Sequence, residues 1–126
     1  MQRERFEALV AKAISDLPAE FRDRLENVDV VVEDWPTQRQ LSETKLRHQA
    51  SLLGLYEGVP LTKRDRGYSL VLPDKITIFQ KPVEAICRSD EEIEWEIQKV
   101  MRHEIAHHFG SGEERLQEIE EMGTDD

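Results

Sequence analysis

The chain reads as an α+β protein, with helices first, strands in the middle and a long helix near the C-terminus. Three observations point there. Phe6, Leu9, Val10, Ala13 and Ile14 recur at helical spacing. Short runs rich in β-branched residues follow between positions 28 and 80. From Ser89 onward a capping signature opens a second long apolar stripe.

Each element has a local cause. Pro18 suits the first turn of a short second helix carrying Phe21 and Leu25, so residues 1–27 form an N-terminal helical segment. Val28, Val30, Val31 and Val32 are bounded by acids and by Trp35-Pro36, which predicts a strand over residues 28–32. Residues 37–49 are polar, with a short helix expected among them. Two more strands are expected at 52–56 and 76–80, and residues 68–72 are a candidate for a further short one. Gly58, Pro60 and Gly67 make the intervening stretch a loop, and its basic cluster Lys63, Arg64, Arg66 is solvated. Residues 81–87 read as a helical connection that tolerates Pro82 in its first turn. In the box Ser89-Asp90-Glu91-Glu92, Ser89 accepts from an orphan amide while Glu92 reaches back. The helix it starts carries Ile93, Ile97, Val100, Met101 and Ile105 on one stripe, about 100° away from a pair of histidines at 103 and 107. That stripe packs on the sheet and leaves the histidines facing a cleft.

At 126 residues, without internal repeat or linker, the chain is a single domain, 1–126, ending in an acidic tail at 114–126. No apolar run is long enough to cross a membrane, and the N-terminus lacks an apolar signal core, which we read as cytoplasmic. The net charge is −10, and residues 113–126 hold seven acids against the single base Arg115, so nucleic acid is not an expected partner. The one cysteine, Cys87, sits among Val83, Ala85 and Ile86 and reads as a small buried hydrophobe rather than a nucleophile.

The chemistry is concentrated in Val100-Met101-Arg102-His103-Glu104-Ile105-Ala106-His107-His108-Phe109-Gly110-Ser111-Gly112-Glu113-Glu114. His103 and His107 are one helical turn apart, which puts their imidazoles on one face with Cβ atoms about 5–6 Å apart. Zinc binds imidazole nitrogen at about 2.0–2.1 Å with tetrahedral angles, so two rings on successive turns can share an ion. Glu104 flanks that ion, in position to take a proton from an activated water and return it to a leaving group. Catalytic zinc usually has three protein ligands. Gly110 can end the helix and turn the chain back, making Glu113 the best third ligand and Glu114 its rival. His108 falls toward the packed flank and reads as structural rather than as a substrate contact.

Three blocks together carry a resemblance. Leu53-Gly54-Leu55-Tyr56-Glu57-Gly58-Val59-Pro60-Leu61-Thr62, then Ile76-Thr77-Ile78-Phe79-Gln80-Lys81-Pro82, then His103-Glu104-Ile105-Ala106-His107-His108-Phe109-Gly110 resemble the minimal zincin-like metallopeptidases of bacteria. The resemblance runs from about residue 28 to 116. It implies a zincin-like α+β fold with a small sheet beside the motif helix. By the family pattern H-E-x-x-H-x-x-G-x-x-D, it makes His103, His107 and residue 113 the zinc ligands and Glu104 the catalytic carboxylate. Position 113 is Glu here, one methylene longer than the family's Asp.

The function expected is therefore zinc-dependent hydrolysis of a peptide or protein, with one Zn²⁺ per chain and Glu104 as general base. Residues 76–80, just ahead of the motif helix, are the expected edge strand for an extended substrate. Tyr56 or Tyr68 is a candidate donor to the developing oxyanion, with a half-buried aromatic as the plainer reading of either. Two other classes are compatible with a zinc motif: a non-catalytic module whose acidic surface binds a protein partner, and a zinc-dependent nuclease. The charge opposes the nuclease, and a structural site has no need of Glu104.

Overall fold

The computed structural model describes residues 1–44, 52–58 and 73–108. The order is α1 (Arg3–Ser15), α2 (Ala19–Arg24), β1 (Val28–Glu33), α3 (Gln38–Thr44), β2 (Gly54–Glu57), β3 (Asp74–Phe79), α4 (Gln80–Ile86) and α5 (Asp90–His108). This is the expected α+β arrangement. The possible strand at 68–72 and the basic cluster lie outside the described residues.

The sheet is mixed and ordered β1-β3-β2. β1 runs parallel to β3 with Val30 opposite Ile76, and β2 runs antiparallel to it with Tyr56 also opposite Ile76. This corrects the expected edge strand. Residues 76–79 lie in the central strand, paired on both sides, and Gln80 already opens α4. Among the described residues the outer strands are β1 and β2, and β2 is the one in contact with the long helix.

Alternation along β3 sends side chains to two cores. Ile76 and Ile78 join Phe6, Val10, Ala13, Leu17 and Phe21 of the N-terminal segment and Ile93, Ile97, Met101 and Ile105 of α5 in the main cluster. Phe79 packs on the other side of the sheet with Leu41, Leu52 and Leu55. Phe6, Ile76, Ile97, Met101 and Ile105 are all fully buried. Removing such a side chain from water is worth about 1.5–3 kcal/mol, so this seam between α1, α5 and β3 holds α5 against the sheet.

The start of α5 follows the expected cap. Ser89 Oγ accepts the Glu92 N–H at 3.1 Å, while Glu92 Oε2 accepts the N–H of Arg88, one residue before the one an ideal box would use. Val100 sits at the margin of the apolar stripe and packs against the main cluster. It is half-buried and turned to β2, on the same flank as His103, Glu104 and His107. Positions 100, 103, 104 and 107 share a face by helical spacing, so Val100 is the apolar wall of the histidine side.

Gly54 explains how β2 comes so close. A Cβ there would stand 2.5 Å from Val100 Cγ1, with Ile78 Cδ1 and the Thr77 carbonyl oxygen each at 3.3 Å. Only glycine lets this strand lie against α5 at that distance.

Candidate metal and peptide site

The last turns of α5 present His103 and His107 to solvent with Glu104 half-buried beside them. The two imidazole rings are nearly parallel, 9° apart in plane, with centroids 6.5 Å from each other. That separation is somewhat wider than two rings take when they share an ion at about 2.0–2.1 Å. Both rings are exposed and can close it by side-chain rotation. The donor set, two neutral-capable imidazoles on one helical face with a carboxylate alongside, fits zinc chemically.

Glu104 is held by β2. Its Oε1 accepts the backbone N–H of Tyr56 at 3.0 Å. The strand geometry explains why that amide is offered. Phe79 N–H donates to the Leu53 carbonyl at 2.9 Å, so positions 53, 55 and 57 exchange hydrogen bonds with β3 and positions 54 and 56 turn theirs outward. The outward amide at 56 meets the carboxylate. A groove of about 440 Å³ runs along this edge, lined by Leu53, Gly54, Leu55 and Val100 with His103 and Glu104.

Tyr56 itself is anchored from behind. Its hydroxyl donates to Asp74 Oδ2 at 2.8 Å. Its ring stacks on His108 with centroids 3.7 Å apart and planes 19° apart. His108 Nε2 lies 3.9 Å from the same Asp74 oxygen. A hydroxyl has one proton to give. Of the two expected oxyanion donors, Tyr56 is thus committed to Asp74 and reaches the site through its main chain, and Tyr68 lies outside the described residues. No residue-level signal marked Asp74 as part of this arrangement.

Cys87 is half-buried against the main core. Burial, with Glu96 and Glu92 nearby, pushes its thiol above the ordinary value, which disfavours the nucleophilic thiolate.

Gly110, Glu113 and Glu114 lie outside the described residues. Among the described residues no group of three or more His, Cys, Asp or Glu side chains is placed to hold a metal. His103 and His107 are the two expected ligands that the described residues contain.

The family model for zincin-like metallopeptidases matches residues 25–123. The chain belongs to that family. The match takes in all three strands and the whole of α5, together with the segment beyond it that contains Glu113. A comparison with curated proteins found no match. Among the described residues, no helix of this zincin-like chain is long and apolar enough to cross a membrane.

Proposed function

We propose that the protein is a zinc-dependent peptidase in which His103, His107 and Glu113 hold one ion and Glu104 is the general base and then the general acid. The observation that carries this reading is the Tyr56 N–H bond to Glu104 Oε1, 3.0 Å long. It supports the reading because the carboxylate is held at the edge of β2, beside two helical histidines, through one of its oxygens. A structural zinc site has no use for a carboxylate so held. When bound, zinc would polarise a carbonyl oxygen and make water nucleophilic near neutral pH.

The chain's own residues supply the rest. The outward amide and carbonyl of Gly54 offer an extended peptide the main-chain pairing of an added strand. The groove beside them takes its side chains, with Leu53, Leu55 and Val100 as apolar walls. Such pairing holds a substrate peptide bond along α5 near Glu104, which moves the proton from water to the leaving nitrogen. The net charge of −10 argues for a peptide over a nucleic acid, and the setting we propose is cytoplasmic.

The test is cleavage of a diverse peptide pool by wild type, Glu104→Gln and chelator-treated protein. Glu104→Gln should keep zinc and fold while hydrolysis falls by roughly 10²- to 10⁴-fold, the usual worth of a positioned general base. Equal cleavage by all three would identify a contaminant and remove the enzyme reading. Cleavage by none of them would favour a zinc module that binds a protein partner.

A further inference from the structure

Toward its end, every fourth residue of α5 meets every second residue of β2. Val100 lies against Gly54, Glu104 against the Tyr56 amide, and His108 against Gly58, where an added Cβ would stand 3.2 Å from His108 Cε1. The two elements therefore run in the same direction, and their repeats agree: four residues of helix advance about 6 Å and two residues of strand about 6.6 Å. Glu104 is the middle rung of this ladder. The outer rungs are packing contacts at glycines, and the middle one is a hydrogen bond.

Tyr56 is gripped from both elements. Its side chain shares a face of the sheet with Ile76, which it opposes, and with Asp74 two residues earlier on β3, a diagonal partner within reach of an aromatic side chain. The Tyr56 hydroxyl donates to Asp74 Oδ2 at 2.8 Å, and that aspartate side chain is only 16% exposed. A carboxylate so buried needs donors, so the bond directs the phenol. From the helix, His108 stacks on the ring with centroids 3.7 Å apart. His108 is one turn beyond Glu104, so a single turn of α5 touches Tyr56 twice, at its amide and at its ring. The amide at 56 points away from β3, and the ladder bonds do not aim it. Its own side chain does.

We propose that Asp74 and His108 are positioning residues for Glu104: they hold the Tyr56 side chain between sheet and helix so that its amide stays on the carboxylate. The catalytic half of this rests on the peptidase reading above. Asp74 acts through the hydroxyl and His108 through the ring, and both reach Glu104 Oε1 along the backbone of residue 56. A purely structural bond, one that only fastens β2 to β3, makes a different prediction. It would steady Leu55, which pairs with Thr77, as much as Tyr56.

The experiment is amide hydrogen exchange by NMR on the metal-free full chain, comparing residue 56 with Leu55. Glu104→Ala removes the acceptor and sets the rate of an unheld amide at 56. Tyr56→Phe, Asp74→Ala and His108→Ala should each speed exchange at 56 toward that rate, by about 10-fold, the order expected for losing a hydrogen bond to a charged group, while Leu55 exchanges as in wild type. Asp74→Asn keeps an acceptor for the hydroxyl and should restore wild-type exchange. Asp74→Ala combined with Glu104→Ala should be no faster at 56 than Glu104→Ala alone. Tyr56→Phe keeps the test standing if Asp74→Ala does not fold. Equal acceleration at 55 and 56 would reduce the contact to a fastening of β2, and unchanged exchange at 56 would show the amide to be aimed without it; either overturns the proposal. A peptide that wild type cleaves supplies the second readout. On it Asp74→Ala should lower kcat about 10- to 100-fold, the cost of a slightly misplaced group, with KM and zinc affinity little changed and activity recovered in Asp74→Asn. A rise in KM at unchanged kcat, or no change in either, would overturn the positioning role. If wild type cleaves nothing, the peptidase reading fails, and exchange at 56 alone decides whether the grip on Glu104 exists.

Discussion

Gly54→Ala tests the close approach of β2 to α5 on which the site depends. The new Cβ would lie 2.5 Å from Val100 Cγ1. Valine in a helix has essentially one χ1 rotamer, so Cγ1 cannot swing away and the strand or the helix must move. Overpacking of this kind costs about 1–3 kcal/mol. Alanine also restricts the unfolded chain, which returns about 0.4–1 kcal/mol in an extended strand position. The net expectation is a destabilisation of about 1–2 kcal/mol. Val100→Ala alone removes two methyl groups from a half-buried position, about 1 kcal/mol at about 0.8 kcal/mol per buried carbon with partial exposure allowed for. In the double variant the main clash is gone, so its stability should match Val100→Ala alone, giving a favourable coupling of about 1–2 kcal/mol. The measurement is equilibrium urea unfolding of the four proteins with chelator present, so that metal linkage does not enter, reading ΔG from the midpoint and slope. Coupling within about 0.5 kcal/mol of zero, the ordinary range for independent sites, would refute the packing explanation of Gly54.

Other predictions concern the ion and the thiol. Purified protein should carry close to one zinc per chain by metal analysis, and His103→Ala or His107→Ala should largely abolish it; full retention in the double alanine variant would eliminate the site. Glu113→Ala should weaken zinc more than Glu114→Ala, with Glu113→Asp retaining it, and the reverse order would transfer the third ligand to Glu114. Cys87 has its folded thiol pushed up by burial and by Glu96 and Glu92. Its alkylation in native protein should therefore rise at higher pH than in urea-unfolded protein, and its contribution to stability should fade as pH climbs through the thiol range. Coincident alkylation profiles would contradict the burial.

Local rules made the motif helix readable from the residues themselves. Ser89 and Glu92 marked its start, and Ile93, Ile97, Met101 and Ile105 marked its buried side, because caps and apolar periodicity act over a few residues. The presence of three strands was legible for the same reason. Their order was not. Residues 76–79 alternate like a half-exposed strand, and Thr77 gives no sign that it is fully buried between two neighbours. Sheet order is settled by which elements meet across tens of residues. The same holds at the candidate site: spacing alone puts His103, Glu104 and His107 on neighbouring turns, whereas the Tyr56 amide that holds Glu104 is 48 positions away. Arg102 shows the converse failure. A charged residue on a charged helix reads as solvated, and its burial comes from tertiary packing that no local pattern encodes.

The shortness of β2 has a dynamic consequence. Its four residues pair with β3 along one edge, and short edge strands open locally at a lower free energy than the whole domain. When β2 lifts, Glu104 loses the Tyr56 amide. His103 and His107 lie on successive turns of α5 and keep their relation to each other. Under the proposed function, local fraying would divide the protein into two states with the same histidine pair that differ in whether Glu104 is aligned. Amide hydrogen exchange at Tyr56 reports the balance between them, and protection there should fall well before α5 itself loosens. In the proposed function, a peptide added along the side of β2 that faces away from β3 would pin β2 in the aligned state. Its arrival would set the geometry of Glu104 at the moment that geometry is needed.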